Sequence, residues 1–275
     1  MITASIEIIC VGNELLIGKT LNTNAQWLAK RITTLGLKNH RITIIGDNIE
    51  EISKALQEAI QRNPHFIITT GGLGPTFDDK TLEGIAMALK RKLAIHDEAL
   101  KMIKKKHRRY VEEGRMKRAE LTSPHVKMAR VPEGAKPIFN PVGTAPAVII
   151  KHDEVTVIAL PGVPSEMKGI FEESVAPLLR EAAGEVTFFE TSLDVTGIME
   201  PAVAPLIDQV MHDNPYVYIK SHPKGEETVS HIELHFSTTA ENTGLAKKRV
   251  SKALIQLSEL IQEKGAKVKP VKAKS

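Results

Sequence analysis

The chain contains a single cysteine, Cys10. That excludes an internal disulfide, and it excludes a zinc site built from the cysteines of one chain. Cys10 lies inside the apolar run 6–11, where a buried strand thiol is expected. Aromatic residues make up only 4% of the sequence, which leaves little of the stacking surface that single-strand nucleic-acid binders use. No apolar run approaches the roughly 20 residues needed to cross a bilayer. The first five residues, Met1 to Ser5, lack the basic start of a secretory signal. A cytoplasmic protein with no membrane partner is expected. The formal charge of +4 is a property of the carboxyl end, because five lysines and no acid lie between Lys264 and Ser275.

What is present reads as an ordinary globular chain, with 42% hydrophobic and 25% charged residues. The run Ile6 to Val11 is a buried parallel strand closed by Gly12. Trp27, Leu28, Ile32 and Leu35 recur at helical spacing up to Gly36. Strands are predicted at 41–45 and 66–70, and helices around Ile52 to Ile60 and Leu82 to Leu89. This triple alternation of strand and helix implies a parallel sheet with helices on both faces. Lys101, Lys104, Lys105, Lys106, Arg108 and Arg109 then form a basic stretch within 96–118, read as a solvated helix face. Strands follow at 147–150 and 155–160, with Ser165 as a candidate cap of the next helix. After about residue 183 a strand, a helix, an antiparallel pair (216–221 and 230–236) and a long helix (241–263) suggest a small α+β domain. The expected division is an α/β domain over 1–182, with a parallel-rich sheet sandwiched by helices. It is followed by the small α+β domain over 183–264 and a basic, disordered tail over 265–275.

Ligands of parallel α/β sheets sit outside the carboxyl ends of the strands. The glycine-rich and polar clusters fall there: Gly12-Asn13-Glu14, Gly46-Asp47-Asn48, Gly71 to Thr81, Asn140 to Pro146, and Pro161 to Glu166. In the third cluster, Gly71, Gly72 and Gly74 allow backbone N–H groups to converge on an anion beside a helix start. Asp78 and Asp79 follow in the same turn. A carboxylate beside a phosphate repels it unless it stabilises the helix start or holds a cation that the phosphate shares. Asp78 fits both roles equally. Asp79 points to metal-linked function, with Asp47 and Glu14 as carboxylates from neighbouring strand ends.

Several spaced runs together resemble the amino-terminal domain of CinA-like (competence/damage-inducible) proteins. They are Val11 to Gly18, Asn22-Thr23-Asn24, Thr69 to Thr76 with Asp78 to Thr81, Asn140 to Pro146, and Leu160 to Met167. The resemblance covers about residues 5–180 and implies the molybdopterin-binding fold of MogA and MoeA type, similar also to the hydrolase module of eukaryotic FAD synthases. Over the second domain the likeness is to a KH-type domain and is weaker. The resemblance implies a metal-dependent pyrophosphatase acting on ADP-ribose or a related dinucleotide. Under it Gly71, Gly72, Leu73, Gly74 and Thr76 hold phosphate, joined at the rim by Gly12 and Asn13. Asn24, Asn140, Gly143, Thr144, Pro161, Gly162 and Val163 line the nucleotide side. Asp47, Asp78 and Asp79 serve a divalent ion (Mg, Mn or Co), and Glu14 and Asp79 are the candidate catalytic residues. The ion would lower the pKa of a bound water that Glu14 orients. The family often has Asp where this chain has Asn13 and Asn22, and Gly where it has Ala147.

The alternative is a protein of molybdenum cofactor biosynthesis that binds or adenylylates molybdopterin without hydrolysis. The partner is then a small nucleotide or pterin. Full-length CinA proteins also carry a nicotinamide-nucleotide amidase domain. The chain ends before one, so deamidation is not expected. The resemblance further implies a homodimer. Nucleic acid is a poor fit, because no Gly-x-x-Gly run follows residue 183.

Overall fold

The computed structural model describes residues 4–114, 120–224 and 231–271. Sequence expectations for 115–118, 230 and 272–275 lie outside the described residues. The chain divides into two compact units, Met1–Thr33 with Leu37–Ala183, and Thr34–Gly36 with Gly184–Ser275.

The first unit opens with β1 (Ser5–Val11), a single turn α1 (Asn13–Leu16), α2 (Thr23–Thr34), β2 (Lys38–Ile45), α3 (Ile49–Gln61), β3 (Phe66–Thr70) and α4 (Thr81–Ala88). It continues through β4 (Leu93–Ile95), α5 (Asp97–Glu112), α6 (Ser123–Lys127), β5 (Arg130–Pro132), β6 (Lys136–Ile138), β7 (Ala147–His152) and β8 (Val155–Leu160). It ends with α7 (Pro164–Ile170), a π-helical turn Phe171–Val175, and α8 (Ala176–Ala183). The main sheet has the order β2-β1-β3-β8-β7-β6. Its first four strands are parallel, and β7 and β6 join antiparallel. The fold is the mixed α/β type read from the sequence, with a parallel-rich sheet between helices.

Burial explains the continuous apolar strands. Ile9 and Val11 pack with Ile52 and Leu56 of α3 and Ile85 of α4. Their alternate neighbours Ile6, Ile8 and Cys10 face the other way and are buried as well. A sheet covered on both faces needs such runs, and each fully buried aliphatic side chain contributes roughly 1.5–3 kcal/mol. Asparagines start the helices around it. Asn48 Oδ1 accepts from Glu51 N at 3.0 Å, and Asn22 Oδ1 accepts from Ala25 N at 3.1 Å.

Two local expectations change. Ser165 does not cap α7, whose N-cap is Val163 with Pro164 in the first turn. The basic helix α5 is not solvated all along its charged positions, since Lys106 and His107 are buried. Lys106 Nζ donates to Pro141 O at 2.7 Å, so its stem crosses the core edge to hold a loop carbonyl.

The second unit contains β9 (Thr187–Thr196), α9 (Glu200–Asp213), β10 (Tyr218–Pro223), β11 (His231–Ala240), α10 (Thr243–Glu263) and β12 (Lys267–Pro270). Its antiparallel sheet has the order β10-β11-β9-β12. Alternate residues of β11 (Ile232, Leu234, Phe236) face Val250, Ala253, Leu257 and Ile261 of α10 in one core. The tail expected to be disordered over 265–275 is corrected here. Lys267–Pro270 pair with β9, and Val268 packs on the core while the lysines stay outside.

Candidate functional site

The four parallel strands end on one rim of the first unit. From β1 the chain moves outward to β2, then returns past β1 to β3, so connections depart in opposite directions between β1 and β3. Such a reversal opens a crevice. A cleft of about 570 Å³ lies here, lined by the loops that follow all four strands, a size ordinary for a small-molecule site.

The glycine turn after β3 forms its floor. Gly71 and Gly72 have φ of +108° and +66°, conformations that side chains rarely adopt. Gly71 N donates to Leu160 O at 3.0 Å, tying the turn to β8. Buried Thr81, the first residue of α4, grips it from behind. Its N donates to Gly72 O at 3.1 Å and its Oγ1 to Gly71 O at 2.8 Å. The amides of Gly72, Leu73 and Gly74 donate to no acceptor among the described residues. Three adjacent unpaired N–H groups beside a helix start are the expected anion seat.

The acids take forms the sequence did not reveal. Asp79 Oδ2 accepts from Thr76 N at 2.8 Å, and the Thr76 hydroxyl lies 2.5 Å from both Asp79 Oδ2 and Asp78 Oδ1. The two carboxylates therefore close their own turn. Neither caps α4, whose N-cap is Lys80. Lys127 Nζ clamps the same turn by donating to Thr76 O and Asp79 O. The Thr76 hydroxyl, the Asp78 amide, Lys127 and Lys80 together hold the exposed Asp78 carboxyl below its usual range. Asp47 Oδ2 accepts from Asn13 N at 2.8 Å, and Asn13 Oδ1 accepts from Asp47 N at 3.3 Å. This reciprocal pair fastens the end of β1 to the end of β2. Glu14 folds back over Gly12, where a Cβ would meet its carboxylate oxygens at 2.6 Å.

The opposite wall is organised by buried Asn140. Its Oδ1 accepts from Val142 N and Gly143 N, and its Nδ2 donates to Ala145 O and to Glu166 Oε2. Between the walls, Asn24 Nδ2 donates to Thr70 Oγ1 at 3.1 Å and to Gly162 O at 2.7 Å. Asn24 Oδ1 is buried without a hydrogen-bond partner among the described residues, while the Asn22 side chain contacts the Cys10 thiol, and both asparagines belong to the cleft lining.

Of the candidate residues, Gly12, Glu14, Asn24, Asp47, Gly71, Gly72, Leu73, Gly74, Asp78, Asp79, Gly143, Thr144, Pro161, Gly162 and Val163 line the cleft. Asn13, Thr76 and Asn140 do not; they hold the loops that do. Asp47, Asp78 and Asp79 all line the cleft, and among the described residues no three His, Cys, Asp or Glu side chains gather as a ready-made metal cage. The lining carries the acids Glu14, Asp47, Asp78, Asp79 and Glu166 and no Lys or Arg among the described residues. A cation shared with ligand phosphates still fits this wall, because Mg²⁺ commonly takes only one or two carboxylates beside phosphate oxygens and water.

Residues 7–181 match the family model described as "Probable molybdopterin binding domain". The chain belongs to this molybdopterin-binding family. It is 42% identical over 255 residues to a protein of Sulfurisphaera tokodaii, covering 92% of this chain and 94% of the relative. A protein of Pyrobaculum calidifontis is 44% identical over 258 residues, with 94% and 95% covered. Among solved structures, the protein CinA of unknown function from Thermoplasma acidophilum is 39% identical with a TM-score of 0.58. That match covers 64% of this chain and 98% of the other, which makes the molybdopterin-binding domain CinA-like.

The cleft of the molybdopterin-binding domain also includes Asn22, Thr70, Tyr110, His125 and Glu166, none of them a candidate site residue above. Glu166 ends the strand-end cluster Pro161 to Glu166, and that position is the signal that marks it. Tyr110 and His125 sit on α5 and α6, and nothing in their spacing points to a ligand. His125 stacks edge-on against buried His107 with ring centroids 4.1 Å apart. Burial, reinforced by His125, keeps the His107 imidazole below its ordinary pKa despite a backbone contact from Glu120.

Proposed function

We propose that the first unit binds a phosphorylated pterin of the molybdopterin type, with the phosphate on the amides of Gly72, Leu73 and Gly74. The observation that carries the reading is that row of unpaired N–H groups at the floor of an open cleft. Membership of the molybdopterin-binding family supports the ligand class. The acidic wall adds a condition: a phosphate enters with a divalent cation, held by one or two of Asp47, Asp78 and Asp79. That ion would neutralise phosphate charge. The protein side supplies the amides, the fixed loops and the orphan Oδ1 of Asn24, an acceptor for a ligand hydroxyl or amide N–H.

Anaerobic calorimetric titration with molybdopterin, with and without Mg²⁺, tests this. Saturable binding that weakens in EDTA is expected. At a ligand concentration of 100 Kd, unfolding should be opposed by about 2.7 kcal/mol more. For a unit of this size that raises the melting temperature by about 5–10 °C. No binding and no thermal shift would refute the reading. Steady conversion of ADP-ribose to AMP with Mg²⁺, Mn²⁺ or Co²⁺, abolished by Asp79→Ala, would replace it with the pyrophosphatase.

A further inference from the structure

We propose that Glu166 reads the ring of the bound molecule, and that the ring carries an amino-pyrimidinone edge, as pterins and guanine do. The inference rests on the cleft being the ligand site proposed above. Glu166 stands in the first turn of α7 and lines the cleft. Its carboxylate is held in place. Oε2 accepts from Asn140 Nδ2 at 2.6 Å, and that amide has no freedom to turn away. Asn140 is 2% exposed, its Oδ1 already accepts two backbone N–H groups, and its remaining hydrogen goes to Ala145 O at 2.9 Å. Rotation by half a turn would set donors against donors. Gly143 provides the space, since a Cβ there would lie 2.0 Å from Glu166 Cδ.

Among the described residues no Lys, Arg or His pairs with Glu166, and Oε1 has no donor. An ionised carboxylate only accepts hydrogen bonds, and bonds of this kind are the stronger, charge-assisted sort. Pterins and guanine present a ring N–H beside an exocyclic amino group, two donors side by side that match two carboxylate oxygens. Hypoxanthine keeps the ring N–H and lacks the amino group. Adenine offers one donor next to a ring nitrogen whose lone pair would face the carboxylate. The wall therefore selects for the donor-rich edge and against the adenine edge.

GMP, IMP and AMP carry the same phosphate and ribose, so differences among them isolate the ring. Titrated into the full chain with Mg²⁺ present, GMP should bind about tenfold more tightly than IMP, and AMP more weakly again. In Glu166→Gln, Asn140 holds the new carboxamide oxygen and turns its N–H₂ toward the ligand. The GMP advantage over IMP should then fall to within about twofold. Equal affinity of the wild-type chain for all three, or an unchanged GMP preference in Glu166→Gln, overturns the assignment and leaves the phosphate seat standing. Failure of all three to bind overturns the cleft reading and this one with it.

Discussion

Replacing Gly71 by Ala tests the geometry on which the anion seat depends. Gly71 has φ of +108°, and an ideal Cβ would lie 2.1 Å from the carbonyl oxygen of Val11, a backbone atom at the end of the neighbouring strand. A sparsely populated φ/ψ costs roughly 1–3 kcal/mol for a residue with a side chain. Relieving the contact requires β1 and β3 to separate by about an ångström at the rim, and overpacking of this kind adds roughly 1–3 kcal/mol. The sum is about 4 kcal/mol, or a fall of about 8–16 °C in melting temperature for a unit of this size. Gly18→Ala is the control. Gly18 has φ of +70° and nothing within 4 Å of its would-be Cβ, so only the backbone term applies. That term is about 1 kcal/mol, or about 2–4 °C. Differential scanning calorimetry of both variants reads the difference directly. Equal shifts, or a Gly71→Ala shift below about 3 °C, would show that the two strand ends do not approach as described.

Other perturbations follow from buried groups of the first unit. Arg62 makes two 2.7 Å hydrogen bonds to Glu7, whose side chain is 4% exposed on β1; Arg62→Ala strands that carboxylate and should cost about 3 kcal/mol in urea unfolding. An unchanged urea midpoint would count against it. Burial pushes the Cys10 thiol up, outweighing a contact from Asn22, so the native protein should resist thiol reagents that label the denatured chain within minutes. The folded pKa of His107 lies below the ordinary 6.5, so the unfolded chain takes up the proton first. Its share of stability is complete above pH 6.5 and is lost as pH falls below it. His107→Leu should flatten the dependence of melting temperature on pH between 7 and 5, and an identical slope in the variant would refute the assignment.

The parts of this molecule legible in its sequence are those where one physical rule dominates. The runs of β1, β3 and β8 are apolar at consecutive positions because both faces of a parallel sheet are covered, and no competing signal obscures them. The three-residue strands β4, β5 and β6 have no period to detect, and the helices α1 and α6, of four and five residues, are too short to show one. Lys106 departs from the solvated face expected of a basic helix because the loop carbonyl of Pro141 makes its burial favourable. β12 departs from expectation for the converse reason. Its alternating lysines look like a solvated tail, yet the open edge of β9 and the core contact of Val268 suffice to order it. At the site, the strand-end rule located the glycine turns and most of the lining. It did not show which oxygens of Asp47 and Asp79 are already engaged by backbone N–H groups, because those bonds depend on loop conformation.

That engagement bears on what the cleft can hold. Five carboxylates line it with no Lys or Arg among the described residues, so an anion entering alone meets net repulsion that three amide dipoles offset only in part. The acids fall into two groups with different remedies. Asp78 and Asp79 share the turn that follows the glycine floor, and Asp47 stands at the end of β2, with β1 between β2 and β3; there a cation bridging to phosphate would remove the repulsion. Glu166 is anchored through Asn140, and the ring donors proposed above would stabilise it where a cation does not. A ligand with phosphate at one end and donors at the other satisfies both at once. A dinucleotide ending in adenine satisfies the first and leaves Glu166 facing a lone pair, which is why the pterin class is favoured over ADP-ribose.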